Sequence, residues 1–405
     1  MVVVRQSLAA SLWQPAASRI LFVVADGLGG LPQHAHGRTE LETAVSPQLD
    51  RLASEGTVGL CTPIAPGITP GSGPAHLALF GYDPLEYPVA RGVLDALGVG
   101  VELKAGDVAV RGNLCTFDES GRVVDRRAGR IPSAESVQLV RLLNQRVRIE
   151  GIDVLVAPVR DHRVVIRIRA PNLGSAVSDT DPLETGKPPL DPRALDEHSR
   201  VTARVVGAIG LHARQILSGQ PRANGLLLRG LGSMPHLSSM REQYGLTAAA
   251  VAGYPTYRGL GRLLGMTVIE DGTSLAEHVA AIIQQWSDYD FFFLHFKDTD
   301  SRGEDGDFDG KVRAIERLDA ALAQVLALEP DVVVVTGDHS TPATLSSHSF
   351  HPVPLLLWAP STVRPDDVRS FGERACVHGG LAQIRAIDVM PLVLAHAGRL
   401  RRYGA

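Results

Sequence analysis

The first strong run of apolar residues, Ile20–Ala25 (ILFVVA), is unbroken and stops at Asp26-Gly27. A strand with one wet face would alternate; a continuous run is the mark of a strand covered on both faces, as in a parallel sheet between helices. Two later runs repeat the design. Tyr289–Phe296 (YDFFFLHF) leads into Lys297-Asp298-Thr299-Asp300, and Asp331–Thr336 (DVVVVT) leads into Gly337-Asp338-His339. Between them, Lys311–Leu328 carries Val312, Ile315, Leu318, Leu322 and Val325 at helical spacing. Ser46-Pro47 opens a further helix over Gln48–Glu55 that ends at Gly56, with the serine expected as N-cap and the proline in the first turn. These elements predict an α/β fold: a mostly parallel central sheet with helices on both faces.

The middle of the chain has a different texture. Asn113–Phe117, Val154–Val159 and Val164–Arg169 are shorter, more alternating strand candidates, separated by turns such as Asp118–Gly121. They predict a separate α+β domain inserted over residues 85–237, with 1–84 and 238–405 forming the sheet domain. Thr180–Pro192, rich in proline and acidic residues, reads as a loop of the insertion. Met1–Ser18 has one arginine and no long apolar stretch, so it reads as a short extension before the first strand and not as a signal peptide.

At 405 residues the chain exceeds one ordinary core, which agrees with an inserted domain. A net charge of -4 argues against a nucleic-acid-coating surface, and no apolar run approaches the ~20 residues of a membrane span. Cys61, Cys115 and Cys376 are scattered and odd in number, which excludes a disulfide framework and suits a reducing cytoplasm.

The acidic strand ends change the picture more. Asp26, Asp300, Asp338 and His339 are oxygen and imidazole donors displayed where open α/β sheets bind ligands. Any one aspartate alone would be a helix cap or a loop acid. Three at the ends of three buried strands, one of them in Gly337-Asp-His-Ser-Thr-Pro342, point to a divalent-metal site. Ser72, in Thr69-Pro-Gly-Ser-Gly-Pro-Ala-His76, stands before an apolar stretch, Leu77–Phe80, that could begin a helix. It is either a cap or a metal-activated nucleophile facing a phosphoryl group, and the spacing does not decide between them. His348, nine residues after His339, could add an imidazole, although a loop histidine alone is more often solvated.

Taken in order, Asp26-Gly, Pro70-Gly-Ser72, Phe80-Gly-Tyr-Asp-Pro84, Asp300 with Asp305-Gly306, Gly337-Asp-His-Ser-Thr-Pro342 and His348-Ser resemble the archaeal-type cofactor-independent phosphoglycerate mutases of the alkaline phosphatase superfamily. Asp125-Arg-Arg-Ala-Gly-Arg130, Ser178-Asp-Thr-Asp-Pro182, Leu228-Arg-Gly230 and Gly261-Arg-Leu-Leu-Gly-Met266 extend the likeness through the middle. The resemblance implies two divalent ions, manganese or magnesium ahead of zinc. Asp26, Ser72, Asp338 and His339 would surround one, and Asp300, Glu304 and His348 the other. It implies that Ser72 carries the phosphoryl group between neighbouring hydroxyls of glycerate, while the inserted domain holds the small phosphorylated substrate. Among Arg111, Arg126, Arg127, Arg130, Arg163 and Arg258, with His162 nearby, we favour Arg130, His162, Arg163 and Arg258 as substrate-binding. Arginine suits carboxylate and phosphate because its planar fork donates to both oxygens.

Three positions depart from the family pattern. Gly73 follows Ser72 where an aspartate is usual, Glu304 replaces a metal histidine, and His351 replaces an aspartate. Glutamate still ligates a divalent ion and favours the harder ones, and His351 could supply the missing imidazole. A diverged phosphohydrolase, or a phosphoryl- or phosphonate-processing enzyme on the same fold, is the alternative activity. A metal-poor sensor of phosphometabolites is a third reading, opposed by the intact Asp26, Ser72, Asp338, His339 and His348.

Overall fold

The structure, a computed structural model, describes residues 3–269 and 272–404. The chain forms two compact units, one of Met1–Pro88, Leu237–Tyr257 and Gly261–Ala405, the other of Val89–His236 with Arg258–Leu260.

The first unit is built on an eight-stranded sheet whose order is Ala382–Arg385, Thr57–Thr62, Val353–Trp358, Val332–Thr336, Ile20–Ala25, Phe291–Phe296, Ala248–Val251, Thr267–Ile269. Val353–Trp358 runs antiparallel to both neighbours; every other pairing is parallel. Alternate residues of the continuous apolar runs feed two cores. On one face Leu21, Val23, Phe292, Leu294, Val333 and Val335 pack with Leu49 and Leu52 and with Ile315, Leu318 and Leu322. On the other, the ring of Phe80 lies 5.6 Å from Phe22 and 4.9 Å from Phe293. Helices therefore cover both faces, which is why these strands carry no polar alternation. Register sets the site: Val24 pairs with both His295 and Thr336, so three strands end level.

Element ends shift for identifiable reasons. The helix expected from Lys311 runs over Phe308–Leu326, because the Asp307 side chain caps it by accepting from Gly310 N at 2.9 Å. The early helix is Pro47–Glu55 with Ser46 at the N-cap, but the serine side chain makes no capping bond. The buried Leu49 N–H donates instead to Asp319 Oδ1 at 2.8 Å, a partner 270 residues away. Met1–Ser18 is more than an extension. Val3–Leu12 is helical, Trp13 bridges Leu400, and the Ser18 hydroxyl donates to Ala397 O at 2.7 Å.

The second unit holds a five-stranded antiparallel sheet in which Val108–Phe117 pairs with Val123–Asp125, Arg163–Arg169 and Gly225–Ser233, and Asp153–Arg160 completes the other edge. Val108–Phe117 begins well before the expected Asn113. Gly112, which breaks the apolar pattern, lies in the strand because a Cβ there would meet Val164 Cγ2 at 2.7 Å. The helices Ser133–Arg146 and Arg200–Leu217 pack Leu139, Leu143, Val206 and Ile209 against Val110, Ile166 and Leu228. Among the described residues no helix is long and apolar enough to cross a membrane. All three cysteines are free and buried.

Candidate active site

Asp26 follows its strand directly and is fixed by its own backbone, whose N–H donates to Phe296 O at 2.9 Å. Asp338 and His339 follow Val332–Thr336, and the Gly27 N–H donates to Asp338 Oδ1 at 3.1 Å. Gly27 has φ +65, and a Cβ there would meet Thr341 Oγ1 at 2.6 Å and Asp300 Cβ at 2.9 Å, so only glycine lets the loops close this far. Asp300 sits in the first turn of the helix Asp298–Glu304, with Glu304 at its end.

These placements create two clusters that share one residue. Asp26, Asp338 and His339 form one group, and Asp300, His339 and His348 form the other, with the ligand atoms in each within 4.8 Å of one another. His339 Nε2 lies 3.2 Å from Asp26 Oδ1 and 3.2 Å from Asp338 Oδ2. His348 Nε2 is 3.5 Å from Asp300 Oδ1 and 3.8 Å from the more exposed Glu304 carboxylate. Ser72 opens the helix Ser72–Leu79 behind Gly71, which holds the N-cap position, and its side chain makes no capping bond. Its Oγ instead lies 3.1 Å from His339 Nε2. Gly71, not Ser72, therefore occupies the N-cap position of this helix.

Two carboxylate oxygens, Asp26 Oδ1 and Asp338 Oδ2, are buried with no hydrogen-bond partner. Imidazole nitrogens lie 3.2–3.3 Å from them without forming a hydrogen bond, and a buried polar atom left without one costs on the order of a few kcal/mol. A divalent cation is the group that carboxylate oxygens beside imidazoles accommodate, and the residues present fit one. The two carboxylates are kept ionised for it. Burial works against the Asp26 carboxylate, but Lys297, His295 and His339 together hold its pKa well below the usual range. Asp338 is likewise kept low despite burial and Asp26, through His339 and His76. His339 is raised, because Asp338, Asp26 and Asp300 outweigh its burial.

Several contributors went unrecognised in the sequence. Lys297 Nζ donates to Asp26 Oδ2 at 3.0 Å and to Asp300 Oδ2, touching a ligand of each group. Thr341 Oγ1 donates to Asp300 Oδ1 at 2.7 Å and lies 2.9 Å from His339 Nδ1. Tyr257 donates to Asp26 Oδ2, His295 Nε2 lies 3.1 Å from that same oxygen, and the buried His76 Nδ1 is 2.8 Å from Ser72 O. The one available signal was a histidine inside the apolar run YDFFFLHF. His351 falls in neither metal group; its Nδ1 lies 3.1 Å from Ser349 Oγ and its ring stacks on Phe350.

In the second unit, two of the candidate arginines are already committed. Arg126 grips Asp181 through bonds of 2.8 and 2.7 Å, and Arg111 pairs with the buried Asp95. Arg130 and Arg163 are exposed, and with Arg127 they bear on His162, which is buried in the turn between two strands. Burial first, then Arg163 and Arg127, push the imidazole down to about 4, so it is neutral at pH 7 and able to donate or accept. Ala128 and Arg130 hold φ of 48 and 51, a conformation secured by the Asp125 carboxylate, which accepts from Arg127 N and Gly129 N at 2.7 Å each. Arg258 is half-buried on a different element, the helix Pro255–Leu263.

A family model described as 2,3-bisphosphoglycerate-independent phosphoglycerate mutase matches residues 53–223. A relative from Thermus thermophilus, described as a probable enzyme of that kind, is 51% identical over 97% of this chain and 98% of its own. A solved Pyrococcus horikoshii protein superposes with TM-score 0.82 at 31% identity, over 96% of this chain and 100% of that one. The cofactor-independent phosphoglycerate mutase of Thermoplasma acidophilum follows at TM-score 0.70 and 31% identity, over 94% of this chain and 100% of its own.

Proposed function

Because the chain belongs to the 2,3-bisphosphoglycerate-independent phosphoglycerate mutase family, we propose that it interconverts 3-phosphoglycerate and 2-phosphoglycerate through phosphorylated Ser72. The observation that carries this reading is the Ser72 Oγ, released from capping and set 3.1 Å from the imidazole common to both clusters. Asp26, Ser72, Asp338 and His339 would hold one divalent ion, and Asp300, Glu304 and His348 a second, with manganese or magnesium preferred over zinc. Such ions, when bound, neutralise phosphoryl charge and favour the deprotonated serine.

The chain's own residues do the rest. Ser72 Oγ gives up its proton and attacks phosphorus in line, and the glycerate oxygen departs with the pair of the broken P–O bond and takes up a proton. The neighbouring glycerate hydroxyl then gives up its proton and attacks the phosphorus of phosphoserine, and the pair of the broken P–Oγ bond stays on Ser72 Oγ, which is protonated again. Nothing is oxidised and no water enters. Lys297 and Thr341 hold ligands of both groups at fixed separation, so the chemistry is mainly positioning and charge neutralisation. Arg130, His162, Arg163 and Arg258 are assigned to the carboxylate and phosphate of the substrate, with the second unit retaining glycerate while the phosphoserine waits. Three buried free thiols suit a cytoplasmic setting.

The deciding experiment supplies manganese and 3-phosphoglycerate to the purified protein and follows 2-phosphoglycerate and free phosphate together. Appearance of 2-phosphoglycerate without phosphate is expected. Phosphate release instead would make the Gly73, Glu304 and His351 departures the signature of a phosphohydrolase. Glu304→Ala is expected to lower bound manganese from two ions per chain towards one, by elemental analysis after dialysis. Retention of both would remove Glu304 from the ligands.

A further inference from the structure

We infer that Tyr257 and His295 are positioning residues that fix the plane of the Asp26 carboxylate so that a single oxygen is presented to a metal ion; this rests on the proposed role of Asp26 as a ligand.

The two oxygens of Asp26 have opposite surroundings. Oδ2 accepts from the Tyr257 hydroxyl, faces His295 Nε2 at 3.1 Å, and accepts from Lys297 Nζ at 3.0 Å. A carboxylate oxygen offers about two lone-pair sites, so three donors saturate it. Oδ1 has no hydrogen-bond partner and is buried, facing His339 Nε2 at 3.2 Å. Turning the carboxylate about the Cβ–Cγ bond away from this angle would break all three bonds at once, and a half-turn only interchanges two equivalent oxygens. Asp26 is therefore held to one-oxygen presentation.

The tyrosine and histidine form a rigid clamp. Their rings stack at 3.5 Å between centroids and 22° between planes, and the His76 ring lies 5.0 Å from Tyr257 and 5.3 Å from His295. Tyr257 is 4% exposed and His295 2%, so neither ring has room to swing aside. For His295 Nε2 to donate it must carry the proton, which leaves the buried Nδ1 bare; that nitrogen has no partner. The histidine is thus committed to the carboxylate. Lys297 also touches Asp300, so it cannot single out one cluster; among the acids of the two clusters Tyr257 and His295 touch Asp26 alone, the Tyr257 hydroxyl also accepting from Lys297 Nζ at 3.3 Å.

Partners of this kind set ligand orientation, and losing one typically costs about 10- to 100-fold in metal affinity. The test uses Tyr257→Phe, which keeps the stacked ring and leaves Oδ2 two donors, so the metal-free protein should melt as the parent does. Manganese titration followed by electron paramagnetic resonance is expected to show one class of site weakened about 10- to 100-fold and the other unchanged, with saturating manganese restoring turnover. Asp26→Asn, titrated in parallel, is expected to lose the same class. Unchanged affinity in Tyr257→Phe, with Asp26→Asn impaired, would overturn the inference while leaving Asp26 a ligand. No loss in either variant would overturn the ligand assignment and the inference with it. If Tyr257→Phe loses its cooperative melt, His295→Asn replaces it, removing another donor to the same oxygen, and is judged by the same outcomes.

Discussion

Ser72→Ala is expected to lower interconversion of the phosphoglycerates by at least ~10⁴-fold while the protein stays folded, since removing a covalent nucleophile forfeits the whole two-step route. The fold should survive for a local reason. Ser72 caps nothing, its helix starts behind Gly71, and alanine is the best helix former. The neighbouring His76 contact is to the backbone oxygen of Ser72, which the substitution keeps. Near-native circular dichroism, absent turnover, and loss of a phosphorylated species on intact-mass analysis after quenching would together establish the role. Turnover within tenfold of the parent would remove Ser72 as nucleophile.

Lys311→Ala should cost about 3–5 kcal/mol of stability, the usual penalty for breaking a buried ion pair from one side. Its ammonium is fully buried, donates to Gly29 O at 2.9 Å and Thr341 O at 2.8 Å, and lies 3.9 Å from Glu40 Oε1. Alanine would leave both carbonyls and a buried carboxylate without the cation, and a cavity besides. Burial pulls the lysine pKa below its ordinary value, with Glu40 and Glu373 opposing, while burial pushes Glu373 up to about 7. Lys311→Met, which fills most of the space, should recover part of the loss and separate cavity from charge. Guanidinium unfolding of metal-free protein measures all three, and a change below ~1 kcal/mol for alanine would refute the argument.

Much of this molecule was legible in its sequence, for a physical reason. Strands buried on both faces cannot alternate, so Ile20–Ala25 and Val332–Thr336 stand out as apolar runs, and the acids beyond them mark the sheet edge where Asp26, Asp338 and His339 gather. What stayed hidden depends on partners remote in the chain. Ser46 satisfies every local rule for a capping side chain, yet Asp319 supplies the bond that matters. Arg111 and Arg126 look like anion-binding arginines until Asp95 and Asp181 are found against them. Lys311 begins the expected helix without standing out, because periodicity reports which face is apolar, not that a cation will reach Gly29 O and Thr341 O. Tyr257 gave no signal at all, since nothing near it in sequence announces a contact with Asp26, 231 residues earlier.

That separation has a consequence during synthesis. Ser72 and His339 stand 267 residues apart, and the strand of Asp26 lies between strands contributed by the far end of the chain. A growing polypeptide on the ribosome would carry Ser72 for most of its elongation without His339 beside it, and Ile20–Ala25 with both hydrogen-bonding edges open. Contacts this distant are slow to close, and unpaired apolar edges invite association with other chains. The second unit, whose sheet draws on a nearly continuous span of sequence, can form first. Its early completion would leave two long-range events, the arrival of Phe291–Phe296 and Val332–Thr336 on either side of Ile20–Ala25 and of Val353–Trp358 and Ala382–Arg385 on either side of Thr57–Thr62, to complete the sheet and bring His339 to Ser72.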